Sequence, residues 1–322
     1  MRKNIWRVLA AASLSAGALF LALGVPLQLI RRQEKTVPRK FGATYMTMNN
    51  PYFEVLDESI RESVEANGDI LITRNPAQNQ KRQNEQIRDM IDEGVTAIFL
   101  NPVDWKEVSQ GLKLCREAGI PVFNVDSNVY DSDYVVTTIQ SDNYQAGVQC
   151  ALDMMKKRDS ARILIVSHYN VQSTNLRIQG FLDTIAGHPE YEVVRTSTST
   201  SEFEVAMDVM NDILENESDL EFDVVLGGND PTALGILASL QSAHFDKDVL
   251  IYGIDGSPDA KEMIRKGLLE GTSSQQPVEM GKIAVETAYR YLEGEEISKN
   301  ITVDVIMITK ETLDQFGVDG WL

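Results

Sequence analysis

Polar side chains that could bind a ligand fall at successive strand ends of this 322-residue chain. The residues in these positions are Asn50, Asn101, Asp126, Asn229, Asp255 and Gln275. Arg177 adds a cation near the start of a predicted helix. Amide, carboxylate and guanidinium groups offer donors and acceptors in forked, planar geometries that match neighbouring hydroxyl groups. The set therefore predicts a site for a neutral, polyhydroxylated ligand.

Two aromatic residues, Tyr52 and Phe53, follow the first of these positions directly. The apolar run at 41–47 predicts a buried strand, and a helix is expected to start after it. Asn50 can cap that helix, and Pro51 suits its first turn because the N–H that proline lacks has no partner there. The two rings then lie at the carboxyl end of a strand, where they could stack on a ligand ring.

Each of these positions also has a purely structural explanation. Asparagine and aspartate before proline or glycine are ordinary turn and cap residues. Tyr52 or Phe53 taken singly is more often a core residue, and Arg177 could pair with a surface carboxylate. The functional interpretation depends on several such residues falling at the same ends of successive strands.

Apolar runs alternate with amphipathic stretches from residue 41 onwards. The runs that predict strands span residues 41–47, 70–73, 95–100, 121–125, 135–139, 162–166, 192–196, 222–226 and 249–253, and the tail at 301–309 predicts extended chain. The stretches with helical periodicity span residues 54–67, 80–92, 105–118, 145–157, 175–186, 204–214, 232–242, 259–265 and 278–292. This alternation is typical of α/β proteins with parallel sheets. So many strands favour two sheets over one, and residues 139–142 and 272–276 are predicted to connect them.

The net charge argues against a nucleic-acid partner. The whole chain carries a formal charge of -18, and residues 1–40 contain eight basic residues and one acidic residue. Residues 41–322 therefore hold 22 basic and 47 acidic residues, a formal charge of -25. Binding to nucleic acid needs a basic surface, which this body lacks.

The N-terminal segment combines basic residues with a long apolar run. Three basic residues among the first seven precede the run at 8–30, and Arg31 and Arg32 follow it. A bilayer is spanned by about 20 apolar residues, whereas a cleaved secretory signal has roughly 7–15. We predict an uncleaved membrane anchor with a tether at 33–40; a cleaved signal peptide is the alternative. Either predicts that the body lies outside the cytoplasmic membrane.

The cysteines and histidines do not predict a metal site or a disulfide. Cys115 and Cys150 fall on separate predicted helices, where small buried residues are expected. The three histidines are scattered without the spacing of zinc ligands. They are His168, His188 and His244.

The segments at the strand ends resemble the periplasmic ribose-binding protein family, which shares a fold with the ligand domains of lactose-repressor-like regulators. The matching segments are NNPYF (49–53), LNPVD (100–104), VD (125–126), SDN (141–143), RIQGF (177–181), GND (228–230), ALG (233–235), GIDGSPD (253–259) and Gln275 ahead of Pro277. They occur in family order between about residues 41 and 310.

The resemblance implies the type I periplasmic binding protein fold, with two doubly wound parallel-sheet lobes joined by three crossing strands. One lobe would span residues 41–141 with 276–305, and the other 142–275 with 306–322. The lobes are expected to close over a sugar, without a cofactor or metal. The implied sugar contacts are Asn50, Tyr52, Phe53, Asn101, Asp126, Arg177, Asn229, Asp255 and Gln275.

Three positions depart from the ribose-binding pattern. Ser127 stands where ribose binders have an arginine, and Ile254 where they have an aromatic residue. Another family aromatic aligns near Ser201, although Phe203 could replace it. These changes predict a different pentose, a hexose, a polyol or a furanose-like ligand as readily as ribose.

Repressor and enzyme functions are disfavoured by what the sequence lacks. A repressor needs a basic helix-turn-helix, and residues 1–40 supply an apolar run instead. No nucleophile elbow, Walker loop or dinucleotide fingerprint is present. Asp126 and Asp255 could form a glycosidase-like carboxylate pair, but binding of hydroxyl groups explains them with fewer assumptions.

Two binding functions stay open. The protein could deliver a sugar to an ABC-type permease, which we prefer, or report it to a membrane sensor such as a histidine kinase or chemoreceptor. The ligand-binding body is expected to be monomeric in either case.

Overall fold

The protein alternates strands and helices as the sequence predicts. The structure, a computed structural model, describes residues 37–217 and 219–322. The strands are β1 (Lys40–Thr44), β2 (Ile70–Arg74), β3 (Ala97–Leu100), β4 (Val122–Val125), β5 (Thr137–Ser141), β6 (Ala161–Ser167), β7 (Tyr191–Thr198), β8 (Val224–Gly227), β9 (Leu250–Asp255), β10 (Gly271–Ser274), β11 (Asn300–Val303) and β12 (Ile306–Thr309). The helices are α1 (Pro51–Ala66), α2 (Gln80–Asp92), α3 (Ser109–Ala118), α4 (Asn143–Lys157), α5 (Gln172–Ile185), α6 (Phe203–Asn216), α7 (Asp230–Ser242), α8 (Pro258–Arg265) and α9 (Pro277–Leu292).

The strands form two six-stranded sheets. The first has the order β11-β5-β4-β3-β1-β2 with parallel pairing throughout. The second has the order β12-β10-β9-β8-β6-β7, and its edge strand β12 pairs antiparallel with β10. Because parallel strands run the same way, their carboxyl ends meet at one edge of each sheet. The predicted α/β fold with two doubly wound sheets is confirmed.

Helices cover both faces of each sheet. On the first sheet, α1 and α9 share one apolar core, and α2 and α3 share the core on the other face. On the second sheet, α4 and α5 cover one face, while α6, α7 and α8 cover the other. Strands buried on both faces read as continuous apolar runs, which is why β3 and β8 were readily predicted. We call each sheet with its helices a lobe.

Aromatic side chains fill much of the first core. The Phe41 and Phe99 rings stack with centroids 6.0 Å apart, and Phe123 lies 6.0 Å from Phe99. All three side chains are completely buried. Burying a side chain of this size contributes roughly 1.5–3 kcal/mol, so this stack is a large part of what holds β1, β3 and β4 together.

At two of the wrongly predicted boundaries, local hydrogen bonds override periodicity. The helix predicted from residue 105 begins at Ser109, because Asp104 Oδ1 accepts the N–H groups of Lys106 and Glu107 and forms a turn. Such side-chain acceptors compete with helix formation. The strand predicted at 135–139 begins two residues later, at Thr137 of β5. A 3-10 turn precedes it, and the Val135 N–H donates to Ser132 O at the end of that turn.

The sequence missed β10 entirely. Its residues, Gly271–Ser274, are small and polar, so they show neither an apolar run nor alternation. They are nevertheless completely buried, between β9 and β12.

The chain passes between the two sheets at three places. These are the turn from β5 into α4, the turn from β10 into α9, and the link from β11 to β12. The first two lie at the predicted connections, residues 139–142 and 272–276. The lobe boundaries named above stay a prediction.

The C-terminal tail returns from the second lobe to the first. Gly320 O accepts a hydrogen bond of 2.9 Å from Lys261 Nζ on α8, and the Lys261 side chain is completely buried. The next residue, Trp321, packs edge-on against Tyr52 of α1 with ring centroids 5.9 Å apart. The tail therefore touches both lobes.

Both cysteines are buried and free, as predicted. Cys115 lies in the core beneath α3, and Cys150 lies in the core beneath α4. Burial raises the pKa of the Cys115 thiol to about 12, so it is not a nucleophile near neutral pH.

Helices α4 and α5 approach so closely that their contact requires glycine. A Cβ added at Gly180 would lie 2.0 Å from Tyr144 O, and one added at Gly147 would lie 1.8 Å from Arg177 O. Both obstacles are backbone atoms, which cannot rotate away.

We expect Gly180→Ala to destabilise the protein by about 3 kcal/mol or more, at the upper end of measured overpacking effects, because it must separate two packed helices. Urea unfolding followed by circular dichroism measures this. The control is Gln179→Ala on the solvent-exposed side of the same helix, expected within about 0.5 kcal/mol of the wild type. Equal stability of Gly180→Ala and wild type would contradict the close approach.

Candidate functional site

A cavity lies where the carboxyl ends of the two sheets face each other. It is small in this closed form, with only about 20 Å³ of space for the centres of water-sized molecules. Its lining residues are Met46, Asn50, Tyr52, Phe53, Asp126, Val171, Ser173, Thr174, Arg177, Ser201, Asn229, Asp255 and Gln275. They follow β1 and β4 of the first sheet and β6 to β10 of the second, so both lobes build it. Ligand sites run from roughly 300 to 1,000 Å³, so a bound ligand would have to hold the lobes somewhat further apart.

Hydrogen bonds across the cleft show that the two lobes are closed on each other. Thr47 Oγ1 donates to Glu202 Oε1 at 3.1 Å, and the Ser173 N–H donates to Ser127 Oγ at 3.1 Å. Two further bonds join Gln78 Nε2 to Thr200 O and Trp105 N to Asn170 O. Closure leaves the polar groups of the cavity almost out of reach of solvent.

Asp126 is the polar group that the first lobe presents to the cavity. It follows β4 with a φ of 69°, a left-handed conformation that aspartate adopts more readily than most residues. Asn101 Nδ2 donates to Asp126 Oδ2 at 2.9 Å, and the residue is only 4% exposed. Burial raises the pKa of Asp126 to about 6, although Arg177 and hydrogen bonds from Tyr52 and Asn101 act in the opposite direction.

Arg177 and Asp255 form the corresponding charged group of the second lobe. Arg177 Nε donates to Asn143 Oδ1 at 2.8 Å, and Nη1 donates to Gly228 O at 2.9 Å. Nη1 also lies 3.7 Å from Asp255 Oδ1, which accepts from Gln275 Nε2 at 2.7 Å. Burial raises the pKa of Asp255 well above its ordinary value, and Arg177 only partly opposes this. The helix begins at Gln172, so Arg177 lies in its second turn and not at its start.

Two buried acceptors of this group have no hydrogen-bond partner within the described residues. They are Asp255 Oδ2 and Gln275 Oε1, and both residues line the cavity. Buried acceptors are normally satisfied, and leaving one unpaired costs roughly 1–3 kcal/mol. A ligand with O–H or N–H groups at this position would remove that cost.

Asn50 and Asn229 line the cavity and also cap helices. Asn50 Oδ1 accepts the Tyr52 N–H at 3.0 Å, as predicted, so the amide group is what Asn50 can offer a ligand. Asn229 Oδ1 accepts from Thr232 N, while Asn229 Nδ2 donates to Ser201 O at 3.0 Å. The structural explanation and the binding explanation therefore both apply to these residues.

Tyr52 and Phe53 likewise belong to the core of the first lobe and to the cavity wall. Their rings meet edge to face with centroids 5.3 Å apart, and both side chains are buried. Met280 on α9 contacts the Tyr52 hydroxyl and Trp321 contacts its ring. Packing on several sides holds the rings in one orientation at the cavity.

The structure brings eight of the nine predicted residues to the cavity. Asn101 is the exception, because it lies behind Asp126 and holds that carboxylate in place. The suggestion that Phe203 replaces a missing aromatic is wrong, since Phe203 is 38% exposed and does not line the cavity. Ile254 is buried in the core beneath α4 and α5, away from the cavity. Ser201 does line the cavity.

Sequence reasoning missed four lining residues. Three of them, Val171, Ser173 and Thr174, surround the start of α5, which the sequence placed three residues too late. A correctly predicted start of this helix would have identified these three residues as lining candidates. Met46 was treated only as part of the predicted strand at 41–47, whereas β1 ends at Thr44 and leaves it in the following loop.

The fold and this cleft match a known class of proteins. Residues 41–296 match the family model of the periplasmic binding protein domain, and the chain belongs to that family. Its members bind substrates for transport and are not enzymes, which confirms that prediction and removes the carboxylate-pair alternative for Asp126 and Asp255. Membership also implies a location outside the cytoplasm.

Among its relatives are ribose-binding proteins, as the sequence segments indicated. The ribose import binding protein RbsB of Escherichia coli strain K12 is 28% identical over 268 residues, covering 82% of this chain and 88% of that protein. A putative rhizopine-binding protein of Rhizobium meliloti is 25% identical over 324 residues, covering 98% of this chain and 99% of that protein. The binding protein of the arabinose ABC transporter from Shewanella sp. ANA-3 was solved with L-arabinofuranose. It superposes with a TM-score of 0.79 at 26% identity, covering 85% of this chain and 92% of that protein.

No helix within residues 37–217 and 219–322 is long and apolar enough to span a bilayer. The predicted anchor at 8–30 lies outside these described residues.

The buried carboxylates make closure of the empty protein depend on pH. Burial raises the pKa of Asp126 and Asp255 in the closed form, whereas opening returns both groups to water. The closed form therefore binds protons more tightly, and the closed fraction should rise as pH falls. For Asp126 the closed-to-open ratio should change by up to about tenfold per pH unit between roughly pH 4 and 6.

Small-angle scattering of the ligand-free protein at pH 8 and pH 5 measures this as a smaller radius of gyration at pH 5. Asp126→Asn should reduce the change, because its side chain does not titrate. A radius that stays constant or grows at pH 5 would contradict the assignment.

Proposed function

We propose that this protein captures a monosaccharide or related polyol outside the cytoplasmic membrane and delivers it to an ABC transporter permease. The observation that carries the proposal is the closed cavity. Its lining includes two buried acceptors without a hydrogen-bond partner among the described residues, Asp255 Oδ2 and Gln275 Oε1, and two aromatic rings held by packing. Hydroxyl groups on a ring satisfy both features at once, because they donate hydrogen bonds while the carbon skeleton stacks on the rings.

Each lobe would hold a different part of the ligand. In the first lobe, the Asp126 carboxylate and the Asn50 amide would bond hydroxyl groups, with Tyr52 and Phe53 against the ring face. In the second lobe, Asp255 Oδ2 and Gln275 Oε1 would accept from hydroxyl groups that are out of reach of the first lobe.

Arg177 would donate to a ligand oxygen from the same side as Asp255, while its bonds to Asn143 and Gly228 hold its guanidinium in place. Asn229 would contribute as a lining residue, and Asn101 would position Asp126. These two are therefore expected to matter less to affinity than Asp126 or Arg177.

Binding would drive closure because only the closed form offers both sets of contacts. A ligand shifts a conformational equilibrium by the difference in its affinity for the two states. The bonds Thr47–Glu202 and Ser173–Ser127 across the cleft would then form together with the ligand contacts. A partner that recognises the closed pair of lobes would be able to tell loaded protein from empty protein.

The named relatives support transport. One is named for ribose import, and the Shewanella protein is described as part of an arabinose ABC transporter. None of these names supports the sensor alternative. Tethering through the segment at 8–30 and a monomeric body stay predictions.

A thermal-shift screen of the protein against pentoses, hexoses, polyols and furanose sugars tests ligand capture. Free ligand at 100 times its dissociation constant should add about 2.7 kcal/mol of stability. Asp126→Ala and Arg177→Ala should lose this gain, because each removes a charged group from the cavity. Asp183→Ala, on the solvent-exposed side of α5, should keep it. No stabilisation by any member of the panel would overturn the proposal.

Deletion of the gene tests delivery. Uptake of the radiolabelled ligand should fall to background and return with the wild-type gene but not with Arg177→Ala. Intact uptake together with a lost transcriptional response to the ligand would favour the sensor function.

A further inference from the structure

Buried carboxyl groups in and behind the cavity outnumber the buried cations. Three carboxylates, Asp126, Asp230 and Asp255, are at most 4% exposed. Two buried cations face them, Arg177 at 3% and Lys261 at 0% exposure. Among the described residues, the carboxyl groups here therefore outnumber the cations by one. Burying a charge without a counter-ion is strongly unfavourable.

Two of the three carboxylates have compensation within the protein. Asp255 lies 3.7 Å from Arg177. Asp230 accepts the Ser257 N–H at 2.7 Å and the Thr272 hydroxyl at 2.6 Å. Burial lowers the pKa of the Lys261 amine, and the nearby Asp230 carboxylate opposes that lowering.

Asp126 is the one of the three carboxylates that has no ion pair within residues 37–217 and 219–322. Its neighbours are the neutral Asn101 amide and the Tyr52 hydroxyl, and Arg177 acts on it only beyond salt-bridge distance. The next residue, Ser127, adds no charge, and its hydroxyl accepts the Ser173 N–H. Asp126 faces the cavity, so a counter-ion could come from the ligand.

The walls around this carboxylate suit a cation. Tyr52 and Phe53 line the same cavity, and an ammonium group near an aromatic face gains cation–π attraction. The opposite wall offers the acceptors Asp255 Oδ2 and Gln275 Oε1, which suit hydroxyl groups.

We propose that the ligand carries a protonated amino group that pairs with Asp126, so that the protein binds an amino sugar or amino-polyol in preference to its neutral counterpart. This rests on the proposed function and narrows its ligand class. The amine would lie toward the first lobe, and the hydroxyl groups would face the second.

Titration calorimetry at pH 7 on matched pairs tests the proposal. The pairs are glucosamine with glucose, galactosamine with galactose, and an inosamine with its inositol. In the pair of fitting stereochemistry, the amino compound should bind at least about tenfold more tightly, a difference of about 1.4 kcal/mol. Its N-acetyl derivative, which has no charge, should lose the advantage without any change to the protein.

Asp126→Asn supplies the protein-side test. It should weaken binding of both members of the pair but the amino compound far more, so that the ratio of their dissociation constants falls toward one. Asp183→Asn, which removes a carboxylate from the exposed side of α5, should leave that ratio unchanged. Circular dichroism of each variant checks that it is folded.

The outcomes separate this inference from the proposed function. Neutral sugars that bind as tightly as their amino counterparts in every pair would overturn the amine but leave sugar capture standing. A tenfold preference that persists in folded Asp126→Asn would overturn the role of that carboxylate. Binding by neither member of any pair would overturn both proposals.

Discussion

Removal of water from the cleft is the constraint on which this structure depends. When the lobes meet, the side chains of Asp126, Asp255 and Gln275 lose their contacts with solvent and can bond only to groups inside the cavity. A ligand that supplies the lost hydrogen bonds would favour closure, because Asp255 Oδ2 and Gln275 Oε1 have no partner within the described residues. Loss of water from these groups makes the empty closed form unfavourable. It also makes binding specific, because a ligand without matching donors cannot offset that loss.

The parallel sheets explain why these groups face one another. Strands buried on both faces are mostly apolar along their length, so most polar side chains appear where the strands end. All parallel strands of a sheet end at one edge, and the two sheets present those edges to each other. The chain crosses between the sheets three times. Those crossings hold the two edges opposite one another.

Much of this was predictable, and the failures have physical causes. The capping of α1 by Asn50 and the positions of most strands followed from local rules that involve only neighbouring residues. Strand β10 was hidden because small polar residues can be buried when neighbouring strands satisfy their backbone. Ser173 and Ser127 are 46 residues apart and belong to different lobes, so their hydrogen bond has no sequence signal. Asn101 was predicted as a contact because a strand-end position does not reveal whether a side chain faces the cavity or its neighbour.

The return of the C-terminal tail gives the protein an optical property. Trp321 rests on Tyr52, whose ring borders the cavity, and the backbone of Trp105 bonds across the cleft to Asn170. Indole emission depends on polarity and contact within a few ångströms of the ring. Separation of the lobes would therefore change the surroundings of the Trp321 indole. Its emission would then report lobe movement in solution without an added label.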